Sequence, residues 1–271
     1  MVARISFSAS EPPRPTFFQR LQRRWLRRRA KSIARSALHD LTRTLAVETP
    51  AGTLSFVMLG SVAAARGMSI LSKQPETITW IDQFEPGSVF WDVGANVGAY
   101  SLYAAKRGAG RVIAIEPAAI SYFLLAANSE ASQLDDRIDC LLLGLGAGKG
   151  IAHLELSQFA GARSFSFDAR KKYPARQSAL VLSMDELVEE FGLPCPNYIK
   201  IDTPGMTEGI IAGASRTLRR PEVRELHIEL RAQSRAGRRI VETLAQCGLT
   251  VSAHHNHGAT TDVTFHRVPA V

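Results

Sequence analysis

The central part of the chain alternates short apolar runs with longer segments of helical composition. Val89–Val93 predicts a buried strand, and residues 99–107 predict a helix that ends at Gly108. The same order then repeats, with a strand over residues 111–116 and a helix over 118–128. Strands that alternate with helices in this way are typical of a parallel sheet with helices on both faces.

Further elements follow from the same patterns and from turn residues. An apolar run at 54–59 predicts an early strand, and residues 76–84 predict a helix. Between the later strands we expect an irregular insertion over residues 157–177. The remaining predicted strands lie at 138–143, 198–201, 225–230, 249–253 and 262–268, the last two as a hairpin.

The N-terminal segment differs from the rest of the chain in its charge. Residues 1–45 hold 11 Lys and Arg against 2 acids, which leaves 22 basic and 23 acidic side chains in the remainder. Apolar residues recur there at three- and four-residue intervals, the period of an amphipathic helix. We therefore predict a basic helical arm at 1–45, a strand and helix segment at 46–85, and an α/β domain at 86–271.

The arm has four interpretations. Its apolar stripe over residues 15–45 packs on its own domain, or the arm lies on an anionic membrane surface, or it docks on an acidic partner, or it is a transit peptide. The nearly neutral body disfavours nucleic acid as a partner, because a basic binding surface is missing there. No apolar run approaches the ~20 residues of a membrane span. We expect a cytoplasmic protein, with peripheral membrane contact as the alternative.

Two sets of side chains invite a metal interpretation that the spacing disfavours. Cys140, Cys195 and Cys247 are far apart and show no CxxC spacing. The histidines of residues 254–257 are adjacent, so their side chains point to different sides of a strand or turn. We predict that this segment is the tip of the terminal hairpin and that no metal is bound.

The first strand–loop–helix unit has the chemistry of a nucleotide site. Gly94 and Gly98 allow backbone to come close to a ligand, while Glu116 closes the next strand, where a carboxylate accepts ribose hydroxyls. A dinucleotide is the competing ligand, but its GxGxxG fingerprint is absent. Asp92 at the strand end also suits a cationic amino group better than a diphosphate.

These residues carry a resemblance to a known family. Residues 91–105 (WDVGANVGAYSLYAA), 115–117 (IEP) and 198–202 (YIKID) resemble the FkbM-type methyltransferases. Residues 75–81 (PETITWI) and 226–229 (LHIE) extend the match to about 76–230. The resemblance implies a Rossmann-like class I methyltransferase fold with a seven-stranded, mostly parallel sheet.

The resemblance also implies a cofactor and a reaction. The cofactor is S-adenosyl-L-methionine, and the methyl group passes to a hydroxyl of a sugar, glycan or natural product. Around the methionine portion of the donor the resemblance places Asp92, Gly94, Asn96, Gly98 and Asp202. Glu116 would hold the ribose, and Asp139 and Cys140 on the third strand are the expected neighbours of adenine, unless both merely continue that strand.

One stretch departs from the family pattern. In residues 202–207 (DTPGMT), Pro204 and Thr207 stand where acids are usual. Asp202 is the first candidate for the catalytic base and Glu229 the second, while a helix N-cap is the alternative role for Asp202. A donor-binding module without turnover and a nucleic-acid methyltransferase therefore stay open beside a hydroxyl methyltransferase.

Overall fold

In a computed structural model, the protein separates into two units, residues 1–42 and 43–271, and each is described by itself. The residues that the structure describes are 25–26, 28–29, 31–32, 43–59, 65–156, 165–166, 175–203, 205–231, 233–258 and 260–268. In the first unit these residues are helical, and the Arg29 guanidinium lies 5.0 Å from the centre of the Trp25 ring. Most of the predicted amphipathic arm lies outside the described residues. Across the described ranges, every helix is too short or too polar to cross a bilayer.

The second unit holds the strands and helices that position the site. The strands are β1 (Thr44–Val47), β2 (Leu54–Val57), β3 (Val89–Val93), β4 (Arg111–Ile115), β5 (Ile138–Leu141), β6 (Gly144–Leu145), β7 (Gly150–Leu156), β8 (Phe165–Ser166), β9 (Ala175–Leu182), β10 (Tyr198–Ile201), β11 (Glu225–Leu230), β12 (Leu249–His257) and β13 (Thr260–Arg267). The helices are α1 (Ile70–Lys73), α2 (Pro75–Ile81), α3 (Ala99–Arg107), α4 (Ala119–Ala131), α5 (Met184–Glu189), α6 (Thr207–Ala212) and α7 (Arg235–Gln246).

Seven of the described strands form one sheet in the order β12-β13-β11-β10-β3-β4-β5. Within it β13 runs antiparallel to both neighbours, and the other neighbouring pairs are parallel. This confirms the predicted Rossmann-like sheet. The strand order reverses direction beside β3, so the carboxyl ends of β3 and β10 flank the position where ligands of open α/β sheets bind.

Helices cover both faces of the sheet, as predicted. On one face Trp91 and Ile201 pack in a core with Met184, Ile211 and Ile240, which come from α5, α6 and α7. The other face packs against α1, α2 and α3, through the buried residues Phe90, Val112, Ala114, Ile70, Ile78 and Leu102. The alternation of side chains along each strand produces this division, because successive residues point to opposite faces.

The first strands differ from the prediction. β1 pairs antiparallel with β2, Thr44 opposite Val57, so a strand crosses the predicted boundary between arm and body at residue 45. β2 ends at Val57 rather than at residue 59. A four-residue strand with half of its side chains exposed has too little apolar pattern to stand out from the arm.

The region after the third strand also differs. β5 ends at Leu141, two residues earlier than predicted, and the chain then enters a four-stranded sheet in the order β6-β9-β7-β8. β9 begins at Ala175, inside the predicted irregular insertion, and β8 lies within it. The other residues of that insertion, 157–164 and 167–174, lie outside the described part of the chain.

The terminal hairpin is confirmed, but its strands are longer than predicted. β12 continues to His257 and β13 begins at Thr260, so residues 254–257 belong to a strand rather than to the hairpin tip. His255 pairs with Asp262 across the two strands, and His257 pairs with Thr260. The β-branched Thr260 and Thr261 favour continued pairing at this position.

Candidate functional site

The loop after β3 approaches the end of β10 closely. Gly94 has φ 86°, and a Cβ atom there would lie 2.4 Å from the Asp202 backbone oxygen. Gly98 has φ 83°, and its Cβ would lie 2.5 Å from Leu125 Cδ1. Both positions therefore favour glycine for backbone conformation, and Gly94 also for space, because the atom it would meet belongs to backbone. Asn96, between them, also has a positive φ of 54°.

Glu116 connects the end of β4 to this loop. Its carboxylate is fully buried, with Oε2 accepting from the Asn96 backbone N–H at 2.9 Å and Oε1 accepting from the Ala118 N–H at 2.8 Å. Burial raises the pKa of Glu116 to about 8. Each carboxylate oxygen has a second acceptor position beyond these bonds, as a ligand with paired hydroxyls requires.

Asp92 is the buried acid of β3. Its Oδ2 accepts a hydrogen bond from Ser101 Oγ at 2.6 Å. Its Oδ1 is buried and has no hydrogen-bond partner among the described residues, and the same is true of Asn96 Oδ1. Burial raises the pKa of Asp92, although the Lys200 ammonium opposes the shift. Because buried polar atoms are normally hydrogen-bonded, these two oxygens are candidates for binding an N–H or O–H group of a ligand.

Asp202 follows β10 and is paired with a lysine of that strand. Lys200 Nζ lies 3.4 Å from Asp202 Oδ2, and the Lys200 side chain is 3% exposed. Burial opposes the charge of Asp202, but the nearby Lys200 and Lys73 outweigh it and hold the pKa of Asp202 below its ordinary value. Ile201 pairs with Ile228 across β10 and β11, so Glu229 follows on the neighbouring strand beside Asp202. The two predicted catalytic acids therefore lie together.

A single cleft brings much of this chemistry together. Asp202 and the loop residues 94–97 line it, and residues between 66 and 73 and the start of α3 complete the wall. The lining residues that sequence reasoning missed include Arg66, Lys73, Tyr100 and Lys200. A signal existed for Lys200, because it is the one charged residue in the apolar run of β10.

The predicted adenine neighbours lie apart from this cleft. Asp139 pairs with Arg111 at 2.5 Å, and Arg111 opens β4, so the ion pair lies toward the amino ends of the strands. Cys140 is half-buried and packs beside the core that contains Ala114 and Ile138. Burial raises the pKa of the Cys140 thiol to about 11. The Arg111 guanidinium binds both carboxylate oxygens of Asp139. Contact of Asp139 or Cys140 with adenine stays a prediction.

The segment after Asp202 changes two interpretations. α6 begins at Thr207 with Met206 as its N-cap, so the alternative role of Asp202 as a helix N-cap is wrong. Thr207, where the family usually has an acid, is buried, and its hydroxyl donates to the Thr203 backbone oxygen at 3.5 Å. Pro204 lies outside the described residues.

The histidines show packing rather than ligand geometry. His227 is buried, with Nδ1 2.9 Å from Thr264 Oγ1 and its ring stacked on Trp80 at 4.9 Å, as expected for a core residue. His254 and His255 are exposed on β12. In the described part of the chain, no three His, Cys, Asp or Glu side chains converge as metal ligands do. Absence of a bound metal stays a prediction.

Comparison with known proteins places this geometry in a family. The methyltransferase FkbM domain matches residues 92–251, more than half of the chain. Hexuronic acid methyltransferase AglP of Haloferax volcanii is 26% identical over 138 residues, which make up 51% of this chain and 54% of that protein. The chain thus spans about half the length of this curated relative.

A solved structure shares the fold. The crystal structure of methyltransferase FkbM from Methylobacillus flagellatus KT superimposes with a TM-score of 0.50 at 19% identity, covering 68% of this chain and 44% of that chain. At this identity the likeness concerns the fold alone. The domain match covers more than half of the chain and agrees with the seven-stranded sheet. The chain therefore belongs to the FkbM methyltransferase family.

Proposed function

We propose that this protein transfers the methyl group of S-adenosyl-L-methionine to a hydroxyl oxygen of a sugar or glycan. The observation that carries the proposal is the Asp202 carboxylate, which lines the cleft formed by the glycine loop and is paired there with the buried Lys200 at 3.4 Å. Membership of the family supports methyl transfer, and the name of the hexuronic acid methyltransferase relative supports a sugar acceptor.

The residues of the site fit the donor. Asp92 Oδ1 and Asn96 Oδ1 are buried acceptors without a hydrogen-bonding partner among the described residues. The ammonium group of S-adenosylmethionine would supply the N–H groups that they can accept from. Gly94, Gly98 and Asp202 would complete the surroundings of the methionine portion, and Glu116 would hold the ribose hydroxyls. When bound, S-adenosylmethionine supplies a methyl group already activated by the sulfonium.

The chain's own residues then have two tasks. The cleft must hold the acceptor hydroxyl in line with the methyl group, since alignment supplies much of the rate. Asp202 accepts the hydroxyl proton, because Lys200 and Lys73 keep its carboxylate ionised. Glu229, beside Asp202 on the neighbouring strand β11, is the second candidate for the base.

A second function, donor binding without turnover, is favoured by one observation. Thr207, the first residue of α6, stands at a position where the family usually has an acid. Its hydroxyl donates a hydrogen bond to the Thr203 backbone oxygen. A protein of this kind would bind the donor and its product normally and fail to methylate any hydroxyl. Binding and transfer therefore have to be measured separately.

Calorimetry with S-adenosylhomocysteine tests donor binding directly. We expect the wild-type protein to bind S-adenosylhomocysteine. Glu116→Ala should weaken this binding by about 1–3 kcal/mol, because buried N–H and O–H groups would lose the carboxylate that accepts from them. Glu130→Ala, which removes an exposed glutamate of α4, should leave the affinity unchanged. Equal affinity of the Glu116 and Glu130 variants, or tighter binding of NAD, would overturn the assignment.

A further inference from the structure

Lys200 is a buried cation in the middle of the sheet. It lies on β10, between β3 and β11, and its side chain is 3% exposed. Lysine is almost never buried to this extent unless it is paired with an acid. Nothing in the residue pattern of a parallel strand requires a charge at this position, so the lysine needs an explanation of its own.

The surroundings of Lys200 are negatively charged and closed. Its ammonium lies 3.4 Å from Asp202 Oδ2 and 5.0 Å from the centre of the Tyr100 ring. Burial alone would lower the pKa of Lys200, but Asp202, Asp92 and Asp262 outweigh burial and hold it above the ordinary value. Lys200 therefore stays charged, with Tyr100 restricting where the ammonium can move.

Asp202 depends on this cation more than on any other group near it. Lys73 also favours its ionised form, but Lys73 is exposed on α1 and its field is screened by solvent. Without Lys200, Asp202 would lie close to Asp92 with no buried positive charge between them. The charged and titratable groups that act on Asp202 or line the same cleft are Lys200, Asp92, Tyr100, Lys73, Glu229 and Arg66, and Asp262 acts on Lys200.

We infer that Lys200 is a positioning residue, whose buried ammonium fixes the Asp202 side chain at the cleft as an anion. The ammonium acts through Asp202 and does not itself exchange a proton in the reaction. The role of this pair in methyl transfer rests on the proposed function. The pairing itself is a property of the protein without any ligand, so it can be tested without an acceptor.

Carbon-13 NMR of the aspartate carboxyl groups measures the ionisation of Asp202 directly. The Asp202 resonance is assigned by its loss in Asp202→Asn, and its titration midpoint is compared in wild type, Lys200→Met and Lys200→Arg. We expect Lys200→Met to raise the midpoint by about 1 to 3 pH units, the effect of losing an adjacent opposite charge. Lys200→Arg keeps the charge and should keep the midpoint low.

Lys149→Met is the matched control. Lys149 also forms an ion pair, with Glu190 at 2.6 Å, but its side chain is 55% exposed. It lies between β6 and β7 of the four-stranded sheet and not in the sheet that holds Asp202. Its removal should leave the Asp202 midpoint unchanged. An unchanged midpoint in Lys200→Met, or a shift of equal size in Lys149→Met, would overturn the inference.

Two further measurements keep the test decisive. If Lys200→Met fails to fold, Lys200→Met combined with Asp202→Asn should regain stability, because both buried charges are then removed together; additive losses would contradict the pairing. S-adenosylhomocysteine binding of the same variants separates this inference from the proposed function. If the wild-type protein does not bind S-adenosylhomocysteine, the proposed function alone is wrong. If the Asp202 midpoint does not shift in Lys200→Met, the role of Lys200 alone is wrong.

Discussion

The Glu116 carboxylate accepts a hydrogen bond of 2.9 Å from the Asn96 backbone N–H, and this bond ties the end of β4 to the loop after β3. The loop keeps its shape through that carboxylate, since Asn96 has a positive φ that the chain would otherwise avoid. Glu116 thus orders the loop before any ligand arrives. Its burial has a measurable consequence in the protein without ligand.

Stability should depend on pH through Glu116. The carboxyl group ionises near 4.5 in the unfolded chain and at about 8 in the folded protein, so the folded state binds more protons between these values. The free energy of unfolding should therefore fall as pH rises through this window, with a slope of up to ~1.4 kcal/mol per pH unit from this group. Urea denaturation between these pH values measures it.

Glu116→Gln should remove that slope, because the amide does not titrate. Glu130→Gln, at an exposed position of α4, should retain the slope of the wild type. If Glu116→Gln and the wild type lose stability equally with rising pH, the raised pKa of Glu116 is wrong.

The close approach of Gly94 to β10 gives a second prediction. Gly94→Ala should lose about 1–2 kcal/mol of stability from its left-handed backbone alone, and more because the new Cβ would lie 2.4 Å from the Asp202 backbone oxygen. Gly87→Ala is the control, since Gly87 has φ 78° but open space around it. Denaturation should show a larger loss at Gly94, together with weaker S-adenosylhomocysteine binding. Equal losses at both positions would refute the steric argument.

A third prediction concerns the basic arm, which we propose contacts anionic membrane surfaces. Deletion of residues 1–42 leaves β1 intact, and S-adenosylhomocysteine affinity should be unchanged. Full-length protein should sediment with phosphatidylserine-containing vesicles at low salt and be released by added salt, because basic amphipathic segments bind through charge. The deletion variant should not sediment. Full-length protein that ignores these vesicles at low salt, or that binds neutral vesicles equally, contradicts the membrane role.

Much of the central sheet could be predicted because its strands are buried on both faces. β3, β4 and β10 read as short, mostly apolar runs, and each lies where the pattern placed it. β9 was missed, because its exposed positions alternate with buried ones and its polar residues resemble a loop. Half-exposed strands of this kind depend on their pairing partners, which a local pattern does not contain.

The site divides in the same way. Gly94, Gly98 and Glu116 could be predicted because they lie within one strand–loop–helix repeat, where spacing alone relates them. The burial of Lys200 among several acids could not, because of these acids only Asp202 is near it in sequence, and Asp92 and Asp262 come close through the strand order alone. Asp202 and Glu229 were each predicted as separate candidates, and their proximity follows from the parallel pairing of β10 with β11.

Methyl transfer to a hydroxyl is the central claim, and a labelled-methyl assay tests it most directly. Wild-type protein is incubated with S-adenosylmethionine carrying a labelled methyl group and a panel of hexuronic acids, hexoses and glycans, and products are identified by mass spectrometry. We predict label on a hydroxyl oxygen, with turnover reduced about a hundredfold or more in Asp202→Asn, the range of general-base contributions. Asp135→Asn, at an exposed aspartate, should retain full turnover. A protein that binds the donor yet labels none of these acceptors, or an Asp202→Asn variant as active as wild type, would contradict the account.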